Sequence, residues 1–323
     1  MPHRRQQIKT VSCLLPHSMS CVEMAQSKAV VFVGEKGTGK SSLAAKLLGE
    51  AVKEEMTETT ALEFKYGVKQ REDKTVKLNI YEIGGGRVLA NLLQSVFVGN
   101  KLEDTIIAIC IDLSKPGNSM DNLNFWIAQV RAISMGVVNE LGAADKENLR
   151  WVRDRLRTKF GEHEDKKQLK AMPIQVVIVG TKYDVFANTY ESQQKKKLID
   201  ALRFIAHTTG SDLLFSSVRE SQPSKVFLNH MTNLLFDVDA KTCETNPNNP
   251  IQICCGNDRL AKINEPDGAG RSKASLEELY QLSIEALFQK TADPVQAKAK
   301  LLEKMSEFKD EKVDRMLREK QEY

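Results

Sequence analysis

Short runs of consecutive apolar residues alternate with stretches of helical periodicity through most of the chain. Residues 29–33, 105–113 and 174–180 are apolar runs of strand length, which is typical of strands covered on both faces. Between them, apolar positions recur at helical spacing in residues 41–48 and 120–141. Strands that alternate with helices in this way predict an α/β fold, with a mainly parallel sheet and helices on both of its faces.

Two further segments alternate apolar and polar positions, residues 62–70 and 75–83. Leu62, Phe64 and Tyr66 share one face of the first segment, and a short polar turn joins it to the second. Alternation on either side of a polar turn is the pattern of an antiparallel hairpin. We therefore predict that these two strands pair with each other.

A strand-like segment at residues 211–218 brings the predicted sheet to six strands, within a domain that spans residues 28–240. The periodicity is lost after Asp239. Residues 241–273 contain Asn-, Pro- and Gly-rich sequences with little pattern, which is typical of turns and linkers. We predict that this segment is an extended linker.

Helical periodicity returns in residues 274–323. Ser275 and Glu278 have the spacing of a capping box, and the last stretch is a charged helix with a narrow apolar stripe. This pattern predicts a C-terminal helical extension that docks onto a partner, with packing across its own domain as the alternative. The basic residues 1–27 lack a long apolar core and predict a disordered tail, with a mitochondrial transit peptide as the weaker alternative.

Composition limits the classes of protein that this chain can belong to. Hydrophobic residues make up 41% and charged residues 28%, which is ordinary for a globular protein, and no apolar run is long enough to span a bilayer. The net charge of +4 is not gathered into a stripe. We therefore expect no membrane insertion. The mixed charges by themselves argue neither for nor against nucleic acid, and no nucleic-acid partner is among those expected. The 6 cysteines have no metal-type spacing and predict free thiols in a reducing compartment.

Residues 34–41 match the phosphate-loop pattern G-x-x-x-x-G-K-[ST] and lie between a predicted strand and a predicted helix. Glycines let backbone N–H groups turn inward around an anion, and the helix directs its positive end at the phosphates. Lys40 would reach the β- and γ-phosphates, and Ser41 would present its hydroxyl to Mg²⁺. The alternative is a vestigial loop that is kept because its turn is structurally useful.

The positions that a working GTPase needs around this loop are altered. A Thr before the second strand should reach the magnesium ion, and Thr59 and Thr60 are both placed for it. The third strand should end in Asp-x-x-Gly, but Glu82 replaces the Asp. Gly86 stands where a glutamine would orient the attacking water, and glycine cannot do this. Efficient hydrolysis is therefore not expected.

The motif for base recognition is also altered. The strand at 174–180 leads into Thr181, Lys182 and Asp184, where Asn-Lys-x-Asp would be expected. Lys182 could pack along a purine, and Asp184 could accept hydrogen bonds from guanine. Val218 lies where the lysine of a Ser-Ala-Lys turn would stand. Asp112 has the position of an acid after an apolar strand, and we interpret it as a structural or capping residue.

The sequence resembles the dynein-2 light intermediate chain family. The matching segments occur in the same order as in that family, across roughly residues 28–240. The segments that carry the resemblance are Leu-Glu-Phe-Lys-Tyr-Gly at 62–67, Tyr-Glu-Ile-Gly-Gly-Gly at 81–86, Asp-Leu-Ser-Lys-Pro at 112–116, Gly-Thr-Lys-Tyr-Asp-Val-Phe at 180–186 and Leu-Arg-Phe-Ile-Ala-His at 202–207. Within this family Thr59 matches the Thr before the second strand better than Thr60 does.

The resemblance implies a Ras-like P-loop domain that serves as a non-catalytic subunit in retrograde intraflagellar transport and cilium assembly. Its implied partners are the dynein-2 heavy chain, whose tail it stabilises, and other dynein-2 subunits, with microtubules contacted only indirectly. The implied locations are the cytoplasm, the cytoskeleton and the cilium, including its axoneme and basal body. The alternative function is a Ras-superfamily GTPase that acts as a nucleotide-dependent switch.

The candidate ligands are GTP, GDP or ATP with Mg²⁺, and an empty loop is the alternative to them. No catalytic residue is predicted, and we interpret His207 as a hydrogen-bonded core residue on an apolar helical face. The candidate magnesium ligands are Ser41 and Thr59. The candidate nucleotide-binding residues are Gly34, Gly37, Gly39, Lys40, Ser41, Ser42, Thr59, Lys182 and Asp184.

Overall fold

The computed structural model describes residues 26–52, 59–99, 101–270 and 274–290. Its strands are β1 (Gln26–Gly34), β2 (Leu62–Arg71), β3 (Lys74–Ile83), β4 (Thr105–Asp112), β5 (Gln175–Thr181), β6 (Asp212–Phe215), β7 (Cys243–Glu244) and β8 (Gln252–Ile253). Its α-helices are α1 (Lys40–Leu48), α2 (Leu92–Gly99), α3 (Ser119–Ala144), α4 (Arg150–Phe160), α5 (Tyr183–Thr189), α6 (Ser192–Thr209), α7 (Ser221–Leu235) and α8 (Leu276–Leu287).

One sheet contains all of these strands, in the order β2-β3-β1-β4-β5-β6-β8-β7. The pairs from β3 through β1, β4 and β5 to β6 are parallel, and β2 pairs antiparallel with β3 as the hairpin prediction requires. The six predicted strands are thus all present as β1–β6. Alternating strands and helices give this topology because each crossover helix covers the sheet that it returns to.

Residues 241–270 are not the extended linker that the sequence predicts. β7 and β8 add two short antiparallel strands to the edge of the sheet beside β6. Ile251 and Ile253 are buried there, and Cys255 donates its backbone N–H to Asp212. Strands of two residues are too short to show a period in sequence. Tertiary pairing with β6 therefore decides the structure of this segment.

The core lies in two layers, one on each face of the sheet. On one face, α1 and α7 pack against the strands through residues that include Leu43, Leu47 and Phe227. On the other face, a larger cluster includes Trp126 of α3 and Leu202 of α6. Buried residues of β1 alternate between these two clusters, which explains why its sequence is a continuous apolar run.

The edge strand β2 exposes its apolar face. The predicted alternation is present, but the apolar side chains face solvent and the polar side chains are the more covered ones. In the part of the chain that the structure describes, no strand pairs with the outer edge of β2. The exposed fractions are 40% for Leu62, 52% for Phe64, 78% for Tyr66 and 63% for Val68.

The capping box at the start of α8 is present, since Ser275 accepts from the backbone N–H of Glu278 and Glu278 accepts from that of Ser275. The apolar face of α8 is buried within the chain through Tyr280 and Ile284, and the Tyr280 hydroxyl donates to the Asn264 carbonyl. Residues 274–290 therefore pack on their own domain, and their apolar face is not free for a partner. The predicted final helix and nearly all of the predicted N-terminal tail lie outside the described residues.

A buried ion pair joins β6 to α7 at the amino end of the parallel strands. The Nε2 atom of His230 lies 3.1 Å from Oδ2 of Asp212, and both side chains are almost fully buried. Burial alone would lower the pKa of His230, but the carboxylate of Asp212 and the Cys254 thiol outweigh it and raise the pKa to about 9. The charged pair therefore stabilises the folded chain at neutral pH.

We predict that the free energy of unfolding falls as the pH rises from 6.5 towards 9. The folded pKa of His230 exceeds its unfolded value, so the contribution is complete below the unfolded pKa and is lost as the pH passes the folded one. The loss should reach at most about 3 kcal/mol. Chemical denaturation across this range measures it, with His230→Gln as the comparison. If the free energy of unfolding had the same pH dependence in the parent and in His230→Gln, the stabilising role of protonated His230 would be contradicted.

Candidate nucleotide site

The phosphate loop joins β1 to α1 in a shape that only its glycines permit. Gly34 backs onto β4, where an added Cβ would lie 2.4 Å from the carbonyl oxygen of Cys110. Gly37 and Gly39 have φ angles of 75° and 84°, in the left-handed region that favours glycine. No side chain caps the start of α1. The backbone N–H groups at this helix end are therefore suited to an anion.

The Lys40 side chain lies inside the phosphate loop and binds its backbone. Its Nζ donates to the carbonyl oxygens of Gly34 at 3.0 Å and Glu35 at 2.9 Å. Burial lowers the pKa of the Lys40 ammonium, while the carboxylates of Glu82 and Glu35 act in the opposite direction. An ammonium has three donors, so these two bonds leave one for a phosphate oxygen. The loop is pre-shaped by the lysine that the sequence assigns to phosphate binding.

Ser41 and Glu82 form the part of the site that could hold a magnesium ion. The Ser41 hydroxyl donates to Oε1 of Glu82 at 2.6 Å, so the added length of Glu brings its carboxylate directly to this serine. The other carboxylate oxygen of Glu82 is buried and has no hydrogen-bond partner among the described residues. Mg²⁺ prefers oxygen ligands, so both side chains fit the ion. Ser41 would bind it, and Glu82 would supply negative charge beside it.

The structure does not bring Thr59 to Ser41 through a hydrogen bond. The Thr59 hydroxyl donates to Glu63 at 3.2 Å. The Thr59 backbone lies close to the end of β3, because an added Cβ on Gly84 would come within 2.0 Å of the Thr59 carbonyl oxygen. Magnesium binding by Thr59 stays a prediction, and it requires the hydroxyl to leave Glu63.

Gly86 is held against the phosphate loop. Its φ is 58°, and an added Cβ would lie 2.4 Å from the carboxylate oxygen Oε2 of Glu35. Glu35 therefore occupies the space in which a side chain at position 86 would have to reach a nucleotide. The water-orienting side chain is absent from the sequence, and in the structure the Glu35 carboxylate would have to move to make room for one.

Arg87 fixes Glu35 in this place, which the sequence analysis missed. Its guanidinium donates to Glu35 at 2.9 Å, to Asp121 at 2.6 Å and to Asn122 at 2.5 Å. It also lies 4.9 Å above the ring of Phe125. These contacts connect the segment after β3 to both the phosphate loop and α3. The available signal was an acid inside the loop and an arginine directly after Gly86.

The base-recognition motif follows β5 and lies across the same cleft. Thr181 is buried and its hydroxyl donates to the Ile111 carbonyl, so it joins β5 to β4. Lys182 donates to Asp112 at 2.6 Å. Asp112 also accepts the backbone N–H and the hydroxyl of Ser114, so of the two predicted roles, structural or capping, the structural one is present. The ammonium of Lys182 is thus anchored at one edge of the cleft.

Asp184 accepts a hydrogen bond from the Ser217 hydroxyl at 2.7 Å, and Arg219 lies 4.0 Å from its other oxygen. Arg219 brings a positive charge to this turn one residue after Val218, which the sequence analysis also missed. A cleft of about 830 Å³ joins the two motifs and is lined by Gly37, Gly39, Ser42, Leu43, Val52, Thr181, Lys182, Asp184, Val185, Ser216, Val218 and Arg219. Its size is ample for a nucleotide.

Comparison with known proteins identifies the family. The profile of the dynein light intermediate chain (DLIC) family matches residues 12–175. The chain is 30% identical over 270 residues to cytoplasmic dynein 2 light intermediate chain 1 of Rattus norvegicus, covering 81% of this chain and 76% of the relative. This chain belongs to the dynein light intermediate chain family. The resemblance read from the sequence is confirmed.

Other relatives place the chain within this family. The human cytoplasmic dynein 2 light intermediate chain 1 is 29% identical over 243 residues, 74% of this chain and 68% of that protein. Cytoplasmic dynein 1 light intermediate chain 1 of Gallus gallus is 32% identical, but over only 37% of this chain and 24% of that protein. The dynein-2 relatives therefore match much more of this light intermediate chain.

The fold agrees with the family. The crystal structure of the dynein light intermediate chain's conserved domain superposes with a TM-score of 0.57 at 17% identity and covers 84% of this chain and 94% of that one. The prediction of a Ras-like α/β domain with a C-terminal helical part is confirmed. Among the described helices of this light intermediate chain, none is both long and apolar enough to cross a bilayer.

We predict that Gly86→Gln in this light intermediate chain does not introduce GTP hydrolysis. The added side chain would collide with Glu35, and glutamine is strained at a φ of 58°. The free energy of unfolding should fall by about 1–3 kcal/mol. Single-turnover hydrolysis and thermal unfolding measure the two effects, with Gly268→Gln as a control because that glycine also has positive φ but open space around it. Faster hydrolysis in Gly86→Gln would contradict the described packing.

Proposed function

We propose that this chain is the light intermediate chain of a cytoplasmic dynein-2 motor, and that it acts as a non-catalytic subunit. It stabilises the tail of the heavy chain and supports retrograde intraflagellar transport and cilium assembly. Its location is the cytoplasm, the cytoskeleton and the cilium, at the axoneme and basal body. The proposal is supported by relatives that carry the name cytoplasmic dynein 2 light intermediate chain 1 and match most of the chain.

The observation that carries the non-catalytic role is the occupation of the catalytic position by Glu35. Hydrolysis needs a group that orients the attacking water beside the γ-phosphate. Here Gly86 has no side chain, and the Glu35 carboxylate stands directly over it under the hold of Arg87. The negative charge of the Glu35 carboxylate at this place would also repel a γ-phosphate. A bound nucleotide therefore serves the stability of the fold, and the motor's ATPase lies in the heavy chain.

The competing function is a Ras-superfamily switch, which the intact phosphate loop favours. A single-turnover assay with radiolabelled GTP and Mg²⁺ separates the two. We expect hydrolysis no faster than in buffer, with and without Lys40→Ala. Rapid hydrolysis that Lys40→Ala abolishes would establish the switch instead.

Lys40→Ala should lower the amount of nucleotide that co-purifies with the chain but leave its assembly with the dynein-2 heavy chain mostly intact. The substitution removes the internal hydrogen bonds of the loop as well as the phosphate contact. Chromatography of ligand released from denatured protein and co-purification of the heavy chain measure the two outcomes. Loss of assembly while the variant stays folded would make nucleotide binding essential to the subunit.

The apolar stripe of β2 is the surface that best fits the heavy chain. It consists of Leu62, Phe64, Tyr66 and Val68, and the Phe64 ring packs against Tyr81 of the neighbouring strand at 5.0 Å. The stripe is about 20 Å long, which matches three to four turns of a helix. The exposed side chain of Lys77 lies at one end of it, opposite Val68 on β3. An amphipathic helix of the heavy-chain tail with an acidic end would match these features.

We predict that Tyr66→Asp combined with Val68→Asp weakens recovery of the dynein-2 heavy chain roughly tenfold or more, because a buried charge in the contact is costly. Both side chains are largely exposed, so the fold should be kept. Leu282→Asp on α8 is the matched control, since Leu282 is apolar and 59% exposed. Equal recovery of the heavy chain with the stripe variant and with the Leu282→Asp control would exclude the stripe as its binding surface. A change only in self-association would assign it to a second copy of the chain.

A further inference from the structure

Two histidines and an aspartate form a cluster outside the nucleotide cleft. His163 and Asp165 lie in the turns after α4, and His207 lies in the last turn of α6. Their candidate ligand atoms all lie within 4.8 Å of one another, and no other such group occurs in the described part of the chain. The prediction that His207 is a buried, hydrogen-bonded residue is confirmed. That prediction did not include the two side chains that it meets.

The hydrogen bonds of His163 fix its tautomer. Its Nε2 lies 2.9 Å from the carbonyl oxygen of Asp258, which can only accept, so Nε2 carries the proton. Its Nδ1 receives the backbone N–H of Asp165 at 3.1 Å, so Nδ1 has a lone pair. Histidines that ligate metals commonly donate their other N–H to a carbonyl or a carboxylate. His163 therefore already has the outer bond, and its Nδ1 lone pair is available to a metal ion once the backbone N–H of Asp165 is released.

The other two groups meet each other directly. Oδ2 of Asp165 lies 2.9 Å from Nε2 of His207 and 3.8 Å from Nδ1 of His163. The backbone N–H of Leu260 also donates to Oδ2 of Asp165 and holds the carboxylate in place. Ligand–metal bonds of about 2.0–2.2 Å place the ligand atoms of one ion about 3–4 Å apart. The cluster thus has nearly the dimensions of an occupied site.

We propose that Nδ1 of His163, Oδ2 of Asp165 and Nε2 of His207 bind a single Zn²⁺ ion. Imidazole nitrogens and a carboxylate oxygen are ligands that zinc takes in proteins, and three of them leave a fourth position for water. On binding, the ion replaces the Nε2 proton of His207, and the neutral ring then carries its proton on Nδ1. The backbone N–H of Asp165 is released from Nδ1 of His163.

The position of the site gives it a structural role. The side chains of His163 and Asp165 are 10% and 14% exposed, which leaves a path for the ion and for its water ligand. The ion would join the turns after α4 to α6. Through the bonds from His163 to Asp258 and from Leu260 to Asp165, it would also hold the chain that follows β8. Zinc would therefore stabilise this end of the domain.

The test uses the full chain, freed of metal with a chelator and then titrated with CoCl₂ as a spectroscopic substitute for Zn²⁺. We expect the visible d–d bands of tetrahedral cobalt to saturate at one ion per chain, and ZnCl₂ to displace it. A thiolate charge-transfer band should be absent, because no cysteine belongs to the site. ZnCl₂ should also raise the melting temperature of the metal-free protein.

Two variants test the ligands separately. His163→Gln removes the Nδ1 lone pair, and Asp165→Asn weakens the carboxylate contact while keeping its size. Each should weaken cobalt binding more than about tenfold and remove the zinc-dependent rise in melting temperature. His230→Gln is the matched control, since it alters another buried histidine–aspartate pair, which shares no residue with the cluster. It should leave cobalt binding unchanged.

Several outcomes would overturn the site. Absence of saturable cobalt bands in the parent protein would leave only a hydrogen-bonded cluster. A thiolate charge-transfer band would show that cysteines bind the cobalt ion. Equal cobalt binding by the parent and both ligand variants would show that the ion binds elsewhere in the chain. If His230→Gln lost as much cobalt binding as the two ligand variants, the cobalt signal would depend on folding and not on these ligands.

Discussion

The close packing of β1 against β4 sets the geometry of the whole nucleotide cleft. β1 is buried on both faces and pairs in parallel with β3 on one side and β4 on the other. These two neighbours fix the position of its carboxyl end. At that end Gly34 approaches the Cys110 carbonyl more closely than any side chain would permit. The chain then turns away into the phosphate loop and α1. A parallel sheet brings the ends of its neighbouring strands to the same edge, which places Glu82 and Lys182 around this loop.

The contact between Glu35 and Arg87 decides what the cleft can do chemically. A phosphate loop supplies N–H groups, a lysine and a serine, and all of these are present here. Hydrolysis also needs a side chain beside the γ-phosphate, and Glu35 fills that space under the hold of Arg87. The partners of Arg87 on α3 make this arrangement part of the domain's packing. Nucleotide binding and hydrolysis have separate requirements in such a cleft, and the position altered here is one that hydrolysis requires.

The outer surfaces divide between elements that the domain covers itself and one that it leaves open. α8 and the short strands β7 and β8 cover the side of α6 and the edge at β6. The opposite edge, β2, has no neighbouring strand among the described residues and presents apolar side chains to solvent. Such a stripe on an otherwise mixed surface is typical of an interaction site. Among the described residues, the sheet edge beside β6 is thus covered by the chain itself, and the edge at β2 is uncovered.

The sequence by itself determined the features that depend on local chemistry. These are the α/β alternation, the hairpin, the phosphate loop with its glycines, the capping box of α8 and the structural role of Asp112. The expectation that hydrolysis is inefficient also came from the sequence, through Gly86, Glu82 and Thr181. Each of these follows from a short stretch of residues, because period, turn geometry and loop chemistry are properties of neighbours in the chain.

Only the tertiary structure decided which distant residues meet. Glu35 and Arg87 lie 52 positions apart in the chain, with α1 and the whole β2–β3 hairpin between them, and no pattern in the sequence joins them. The same holds for His163, Asp165 and His207, whose contact depends on where the turns after α4 fold against α6. The alternation of β2 predicted a strand but could not say which of its faces is covered. Burial is set by what packs on an element, and that is fixed by the whole fold.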